Sequence, residues 1–309
     1  MNLEKNSDLF FDPWIPEYSA LMMRAKALEE GFPFLRVGTL GNSVLGRPIP
    51  LLSIGTGERK CLYVATHHAM EWITTLLLMR FTNDFCTACM QNTTVGGITP
   101  KQLLNTHTLL IVPMLNPDGT DYQLNGIAAN NPLRERLLKM NGSADFSHWQ
   151  ANARGVDLNH NYDAGFWEYK NLEKENGIEG GASTRYSGEA PESEPETAAL
   201  CNLIRISVPM GGVLSLHTQG EEIYCNTSKA SPKQTGSIAR CLSHHTGYRL
   251  ARANGSAAYG GLADWCLQKM SIPAFTLECG LGCNPLPMES LSKIYCRLRQ
   301  ALFLFPTFL

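Results

Sequence analysis

Apolar positions along this chain follow two alternating patterns. Short runs rich in Val, Ile, Leu and Thr, bounded by Gly, Pro or polar residues, read as buried strands: PFLRVG, PIPLLSIG, KCLYVAT, HTLLIVPM, GVLSLHT and PAFTLEC. Between them, apolar residues recur at three- and four-residue spacing. That period predicts helices over Glu71 to Met90, Ser193 to Ile206, Thr235 to His245, Leu262 to Met270 and Met288 to Phe303. Ser193 followed by Glu196 predicts an N-cap and capping box at the start of the second of these. Strands alternating with helices predict an α/β protein whose mainly parallel sheet is covered on both faces. Ligands in such sheets bind beyond the carboxyl ends of the strands, so candidate chemistry is sought there.

Composition refines this picture only in part. The chain has 309 residues, 44% hydrophobic and 17% charged, enough for one large core. No internal repeat or linker divides it. It therefore reads as a single domain over 1–309, with residues 1–33 an N-terminal extension packed on it. The segment 164–192, rich in Gly, Glu, Ser and Asn, reads as a long loop near a site. A net charge of −2 without a Lys or Arg run argues against nucleic acid and anionic lipid as partners. No apolar run of about 18 residues marks a membrane span. The start, MNLEKNSDLFFDPW, lacks the basic and apolar parts of a secretory signal, so a cytoplasmic location is expected. The ten cysteines lie mostly in apolar segments and read as reduced, buried thiols. Cys86 and Cys89 form a CxxC at helical spacing, but no second CxxC completes a structural metal site.

The residues that change the picture close three of the strands. After KCLYVAT comes His67-His68-Ala69-Met70-Glu71. A His and a carboxylate three apart at a strand-to-helix turn can point at one metal, and imidazole with carboxylate suits zinc. His217 ends GVLSLHT on what should be the same sheet edge, and is the third candidate ligand. His67 competes with His68, since His67 and Glu71 are one helical turn apart, and spacing does not decide between them. Glu278 ends PAFTLEC, where burial would raise its pKa and suit it to general-base work.

These segments resemble the metallocarboxypeptidase family from about Val37 onward. HAMEW is similar to its HxxE zinc turn, which implies His68 and Glu71 as ligands. NPDG at 116–119, GVDLNHNY at 155–162, SLHT at 215–218 and TLECG at 276–280 follow in the family's order. The resemblance implies one bound Zn2+, His217 as third ligand, Glu278 as catalytic base, and a single-domain zinc-carboxypeptidase-like α/β fold with a mixed, mainly parallel sheet and helices on both faces. Two departures stand out. The family's oxyanion Arg aligns with Gln150, with Arg154 nearby as a substitute. The family's Asn-Arg pair for a terminal carboxylate is here Asn159-His160, and imidazole does not replace a guanidinium fork. WQANARGVDLNHNY, SEPE and LHTQGEEIY resemble bacterial γ-D-glutamyl-meso-diaminopimelate peptidases, which implies a murein-derived peptide as substrate. In that reading Gln219, Glu221 and Glu222 line the site, Tyr259 closes over the substrate, and Ala263 lies near the pocket floor. An ordinary metallocarboxypeptidase or other amidase on this fold, and an inactive peptide-binding relative, are the alternatives.

Overall fold

A computed structural model describes residues 13–225 and 231–309, apart from the side chains of 256 and 257. In chain order its elements are α1 (Tyr18–Gly31), β1 (Leu35–Asn42), β2 (Pro48–Ile54), β3 (Arg59–Ala65), α2 (Ile73–Gln91), α3 (Pro100–Leu103) and β4 (His107–Val112). Then follow α4 (Pro117–Asn125), α5 (Arg134–Asn141), α6 (Phe166–Glu175), α7 (Pro195–Ile206), β5 (Met210–His217) and β6 (Glu222–Tyr224). The last are α8 (Thr235–Thr246), β7 (Arg249–Ala251), α9 (Leu262–Trp265), β8 (Ala274–Glu278) and α10 (Ser290–Phe308).

Among the described residues, eight strands form one sheet in the order β1-β2-β4-β3-β5-β8-β6-β7. The centre, β4-β3-β5-β8, is parallel throughout. Antiparallel pairs join β1 to β2, β2 to β4 and β6 to β8, making the sheet mixed. Strand alternation builds both faces. Tyr63, Ile111, Leu214 and Phe275 pack toward α1, α2, α8 and α10, while Leu62, Val64, Val112 and Val213 pack toward α7 and α9. A central strand buried on both sides reads as a continuous apolar run, which is why β3, β4 and β5 were legible. Six of the ten cysteines are buried and all ten are free. Among the described residues, no helix is long and apolar enough to cross a membrane.

Three expectations need correction. The segment 164–192 is not one loop, because α6 occupies 166–175. Its Phe166, Tyr169 and Glu173 share a buried face, but the polar composition around them hid that period. Ser193 and Glu196 do not make a capping box. Pro195 opens α7 after Glu194, which makes no side-chain cap bond, and the Ser193 hydroxyl donates instead to Glu194. Glu196 is buried and accepts from the Val44 N–H at 3.0 Å, tying α7 to the β1–β2 turn. The helix expected from Glu71 begins at Ile73, because Ala69–Glu71 form a separate 3-10 turn that aims Glu71 at the sheet edge. The short strands β6 and β7, three residues each, carried no periodic signal.

Candidate metal centre and substrate pocket

The parallel register places the site. Leu216 lies beside Ala65 and His217 beside Glu278, so the ends of β3, β5 and β8 open on one edge. Asn116, after β4, ties this edge down. Its amide donates to the carbonyls of His67, Gln150 and Ala151 at 3.0–3.2 Å, and its Oδ1 accepts from Gly119 N–H at the start of α4.

At that edge His68, Glu71 and His217 converge, with one donor atom from each lying within 4.8 Å of the others. His68 Nδ1 is 2.9 Å from one Glu71 oxygen, and His217 Nδ1 is 3.0 Å from the other. The two Nδ1 atoms face each other at 3.3 Å. Their far nitrogens are already committed: His68 Nε2 to Asp157 Oδ1 at 2.9 Å, and His217 Nε2 to the Ser215 hydroxyl at 3.1 Å. Two imidazoles and a carboxylate pointing at one another, each imidazole oriented from behind, is the donor set that a cation such as zinc requires. The electrostatics agree. Burial would raise Glu71, but His68 and His217 hold it down at about 2. Burial would lower His68, yet the carboxylates of Glu71 and Asp157 raise it well above the ordinary histidine value, so the cluster demands positive charge.

His67 and His68 separate cleanly. The His67 ring lies behind the cluster, with Nε2 2.8 Å from the Tyr162 hydroxyl and the ring stacked on His217. Burial pushes its pKa well below the ordinary value, so it serves there as a neutral ring.

Glu278 lines a cavity of about 390 Å³ together with His68, Asn159, His160, Ala263 and Asp264. Burial, and after it the Glu71 carboxylate, push Glu278 up to about 8, while His68 opposes the shift. Glu222 sits directly across from it on β6 and adds to the rise.

His160 also lines the cavity. Its ring stacks on Tyr169 of α6 at 4.0 Å between centroids, and its Nδ1 is 2.8 Å from the Tyr259 carbonyl. A carbonyl only accepts, so that nitrogen carries the proton. Burial lowers the pKa despite Asp157, so the ring is neutral and its Nε2, unbonded among the described residues, is an acceptor. The turn that makes this possible depends on Gly260, at φ 74°, where a Cβ would lie 2.6 Å from the His160 carbonyl oxygen.

The other expected residues scatter. Gln219 and Ala263 line the cavity. Gln150 lies outside that lining, its Oε1 accepting from Thr184 and its amide nitrogen 4.0 Å from Met70 Sδ. Arg154 turns away and pairs with Glu194 at 3.6 Å. The Tyr259 ring lies against Gly165 rather than over the cavity. Glu222 is tied to Arg249 and Tyr224, and Glu221 to Arg297. Sequence reasoning missed Asp157, Ser215 and Asp264. Asp157 was within sight, two residues before Asn159 in GVDLNHNY.

Comparison with known proteins accounts for this arrangement. The zinc carboxypeptidase family model matches residues 22–295. The chain belongs to the zinc carboxypeptidase family. It is thus a zinc metallopeptidase, a hydrolase whose cofactor is one Zn2+, and the His68, Glu71 and His217 group fits that ion. Among relatives of this zinc carboxypeptidase, the γ-D-glutamyl-L-diamino acid endopeptidase 1 of Lysinibacillus sphaericus is 39% identical over 290 residues, covering 94% of this chain and 71% of that protein. The uncharacterized protein YqgT of Bacillus subtilis (strain 168) is 34% identical, covering 92% of this chain and 76% of that one. The crystal structure of thrombin activatable fibrinolysis inhibitor superposes with a TM-score of 0.70 at 18% identity, covering 94% of this chain and 73% of that chain, and shares the fold.

Proposed function

We propose that this zinc peptidase hydrolyses the γ-D-glutamyl–meso-diaminopimelate bond of murein stem peptides, with His68, Glu71 and His217 holding the metal and Glu278 as general base. Zinc in that position supplies Lewis acidity, polarising a carbonyl and making water a competent nucleophile near neutral pH. Glu278 sits at the neighbouring strand end, where its raised pKa suits a group that takes a proton from water and delivers it to the leaving amine. Asp157 and Ser215 hold the two imidazoles in register from behind. Asn159 keeps an amide N–H pair for substrate, since its Oδ1 is taken by the Leu262 N–H. Gln150 lies outside the cavity lining with its amide directed at Met70 Sδ, so it would serve as oxyanion donor only after its side chain turns toward the metal edge. Arg154 and Tyr259 stand outside the pocket and would meet only the outer parts of a longer substrate.

One observation carries the choice of bond. His160 has its single N–H spent on the Tyr259 carbonyl, so it has no donor for a free terminal carboxylate. That favours a bond other than the one trimmed by ordinary carboxypeptidases, and the 39%-identical relative is named for the γ-D-glutamyl–diamino acid bond. Zinc-loaded protein incubated with L-Ala-γ-D-Glu-meso-diaminopimelate should release free diaminopimelate, detected by mass spectrometry. No release from this peptide, alongside rapid trimming of α-linked peptides, would replace the proposal with an ordinary carboxypeptidase.

A further inference from the structure

We infer that a recess at the end of the sheet opposite the metal edge binds an organic carboxylate, an apolar body with one anionic end, whose charge Arg36 and Lys101 hold. The recess shares no residue with the cavity beside the metal centre, so the inference stands whichever bond this peptidase cuts.

Topology separates the two ends. β3 and β4 start side by side at Arg59 and His107, and antiparallel β2 ends against that start, with Ile54 beside Leu109. α2 begins just after Glu71 at the metal edge and runs for 19 residues. At 1.5 Å per residue that is about 28 Å, enough to carry its last turn to the opposite end. There Cys89 and Met90 meet Phe34, Leu104, Arg36 and Lys101 around a cavity of about 620 Å³, larger than the one of about 390 Å³ beside the metal. Its size and mainly apolar walls are those of a small-molecule site.

Charge complementarity decides what the recess takes. Among the described residues that line it, none is Asp or Glu, while Arg36 and Lys101 bring two positive charges. Among the described residues neither is paired with a carboxylate. Arg36 is pinned at the rim, its Nη1 donating to the carbonyls of Pro33 and Leu35, both at 2.8 Å. Those bonds occupy one nitrogen and leave Nε and Nη2 as donors for an anion, which a guanidinium held in place suits well. The Lys101 ammonium opposes the rise that burial forces on the Cys89 thiol, so its charge bears on the inside of the recess. Burial still pushes Cys89 up to about 12, which leaves the thiol protonated and unreactive, so the recess binds without reacting. Phe34 and Leu104 rest on the main core and form a fixed apolar wall, and Met90 beside them is 45% exposed. An inorganic anion would satisfy the cations and leave that wall wet, and a plain hydrocarbon would do the opposite. A carboxylate on an apolar body answers both.

The test is isothermal titration calorimetry on the zinc-loaded protein with 6-phenylhexanoate and with its primary amide, alike in shape and different in charge. The acid should bind roughly tenfold more tightly than the amide. Acetate, which lacks the apolar body, should bind more weakly than 6-phenylhexanoate by about tenfold or more. Arg36→Gln and Lys101→Gln together should bring the acid-to-amide ratio close to one and leave peptide hydrolysis at the metal edge unchanged. Equal binding of acid and amide by the unmodified protein would overturn the inference without any variant. So would a preference that survives both substitutions, because the anion would then sit elsewhere, as on the metal. Lys101→Gln alone should lower the preference about threefold, which keeps the comparison readable if Arg36→Gln does not fold. Inorganic phosphate that displaces 6-phenylhexanoate completely at equal concentration would reduce the recess to a simple anion site and overturn the assignment. A dimer seen by sedimentation that dissociates in Lys101→Gln, with no binding of the acid, would give the recess to a second copy of this chain and overturn it as well.

Discussion

The two walls of the site are built differently. On the metal wall every polar atom is committed: each imidazole has one nitrogen in the cluster and the other on a partner, and Asn116 alone makes four hydrogen bonds behind them. On the pocket wall His160, Asn159 and Asp264 line a cavity. The first wall is over-determined and tolerates little change in geometry. The second is a polar lining open to a cavity of about 390 Å³. Rigidity is therefore concentrated where donor atoms converge for a metal, and open space where a ligand would be read.

The sharpest way to break this contrast is Glu278→Gln, because Glu278 belongs to both walls. On the proposed role of Glu278 as base, this change should lower kcat by about 10³-fold, within the range general acid–base groups supply, while bound zinc stays at one per chain. Metal content by atomic absorption beside steady-state rates would check both halves. A variant that lost zinc as well would place Glu278 in the metal wall, not between the walls.

Behind the metal wall lies an exception to its matched charges. Among the described residues no Lys or Arg is paired with Glu196, and burial, opposed by hydrogen bonds from its own backbone and from Val44, moves its pKa from 4.5 up to about 7. Asp118 and Glu194 push it further the same way. A carboxyl that holds its proton longer in the folded state costs stability as pH rises. The penalty is absent below about pH 4.5, grows to about pH 7 and is then constant, at about 3 kcal/mol. Glu196→Gln should recover most of this at pH 8 and little at pH 5, by urea denaturation with zinc saturating. An equal change at both pH values would mean that Glu196 is stabilised as an anion by groups around it.

Asp157 tests how far the metal wall depends on its outer layer. It accepts from the backbone N–H groups of Asn159 and Arg185 and holds His68 Nε2. His68 and the hydrogen bonds override its burial and hold its pKa well below the ordinary carboxylate range. Asp157→Asn keeps the shape and removes the charge. Zinc affinity, measured by chelator competition, should fall by about 10- to 100-fold. Unchanged affinity would show that the imidazoles are fixed by packing alone.

The same contrast explains what the sequence disclosed. Strands β3, β4, β5 and β8 are apolar runs that end in the residues of interest, so the metal wall is written locally: HAMEW, SLHT and TLECG each close a strand. The pocket wall is assembled from tertiary contacts. His160 acquires its acceptor character from a carbonyl 99 residues away, and its stacking partner lies on α6, whose period was hidden in a polar segment. Arg154 and Tyr259 fit an alignment of motifs, yet their side chains go to Glu194 and Gly165. Glu196 satisfied a capping pattern, but a backbone amide from the β1–β2 turn claimed it first. Motif order predicts which residues reach the edge of the sheet. It does not predict which way a loop side chain turns once packing offers it a partner.

His160→Arg is the mildest of these changes and the most direct on the pocket wall. A guanidinium cannot reproduce the flat stack on Tyr169 in the same space, and it brings donors where the native ring offers an acceptor. On γ-D-glutamyl peptides kcat/KM should fall by about tenfold, chiefly through KM, because the chemistry at the metal edge is untouched. On α-linked peptides with a free terminal carboxylate the same variant should lose less or improve, since a fork suited to that carboxylate now faces the cavity. Parallel losses on both substrate classes would mean that His160 matters for holding α6 against the pocket. Kinetics identical to the unmodified protein on both would remove residue 160 from substrate recognition.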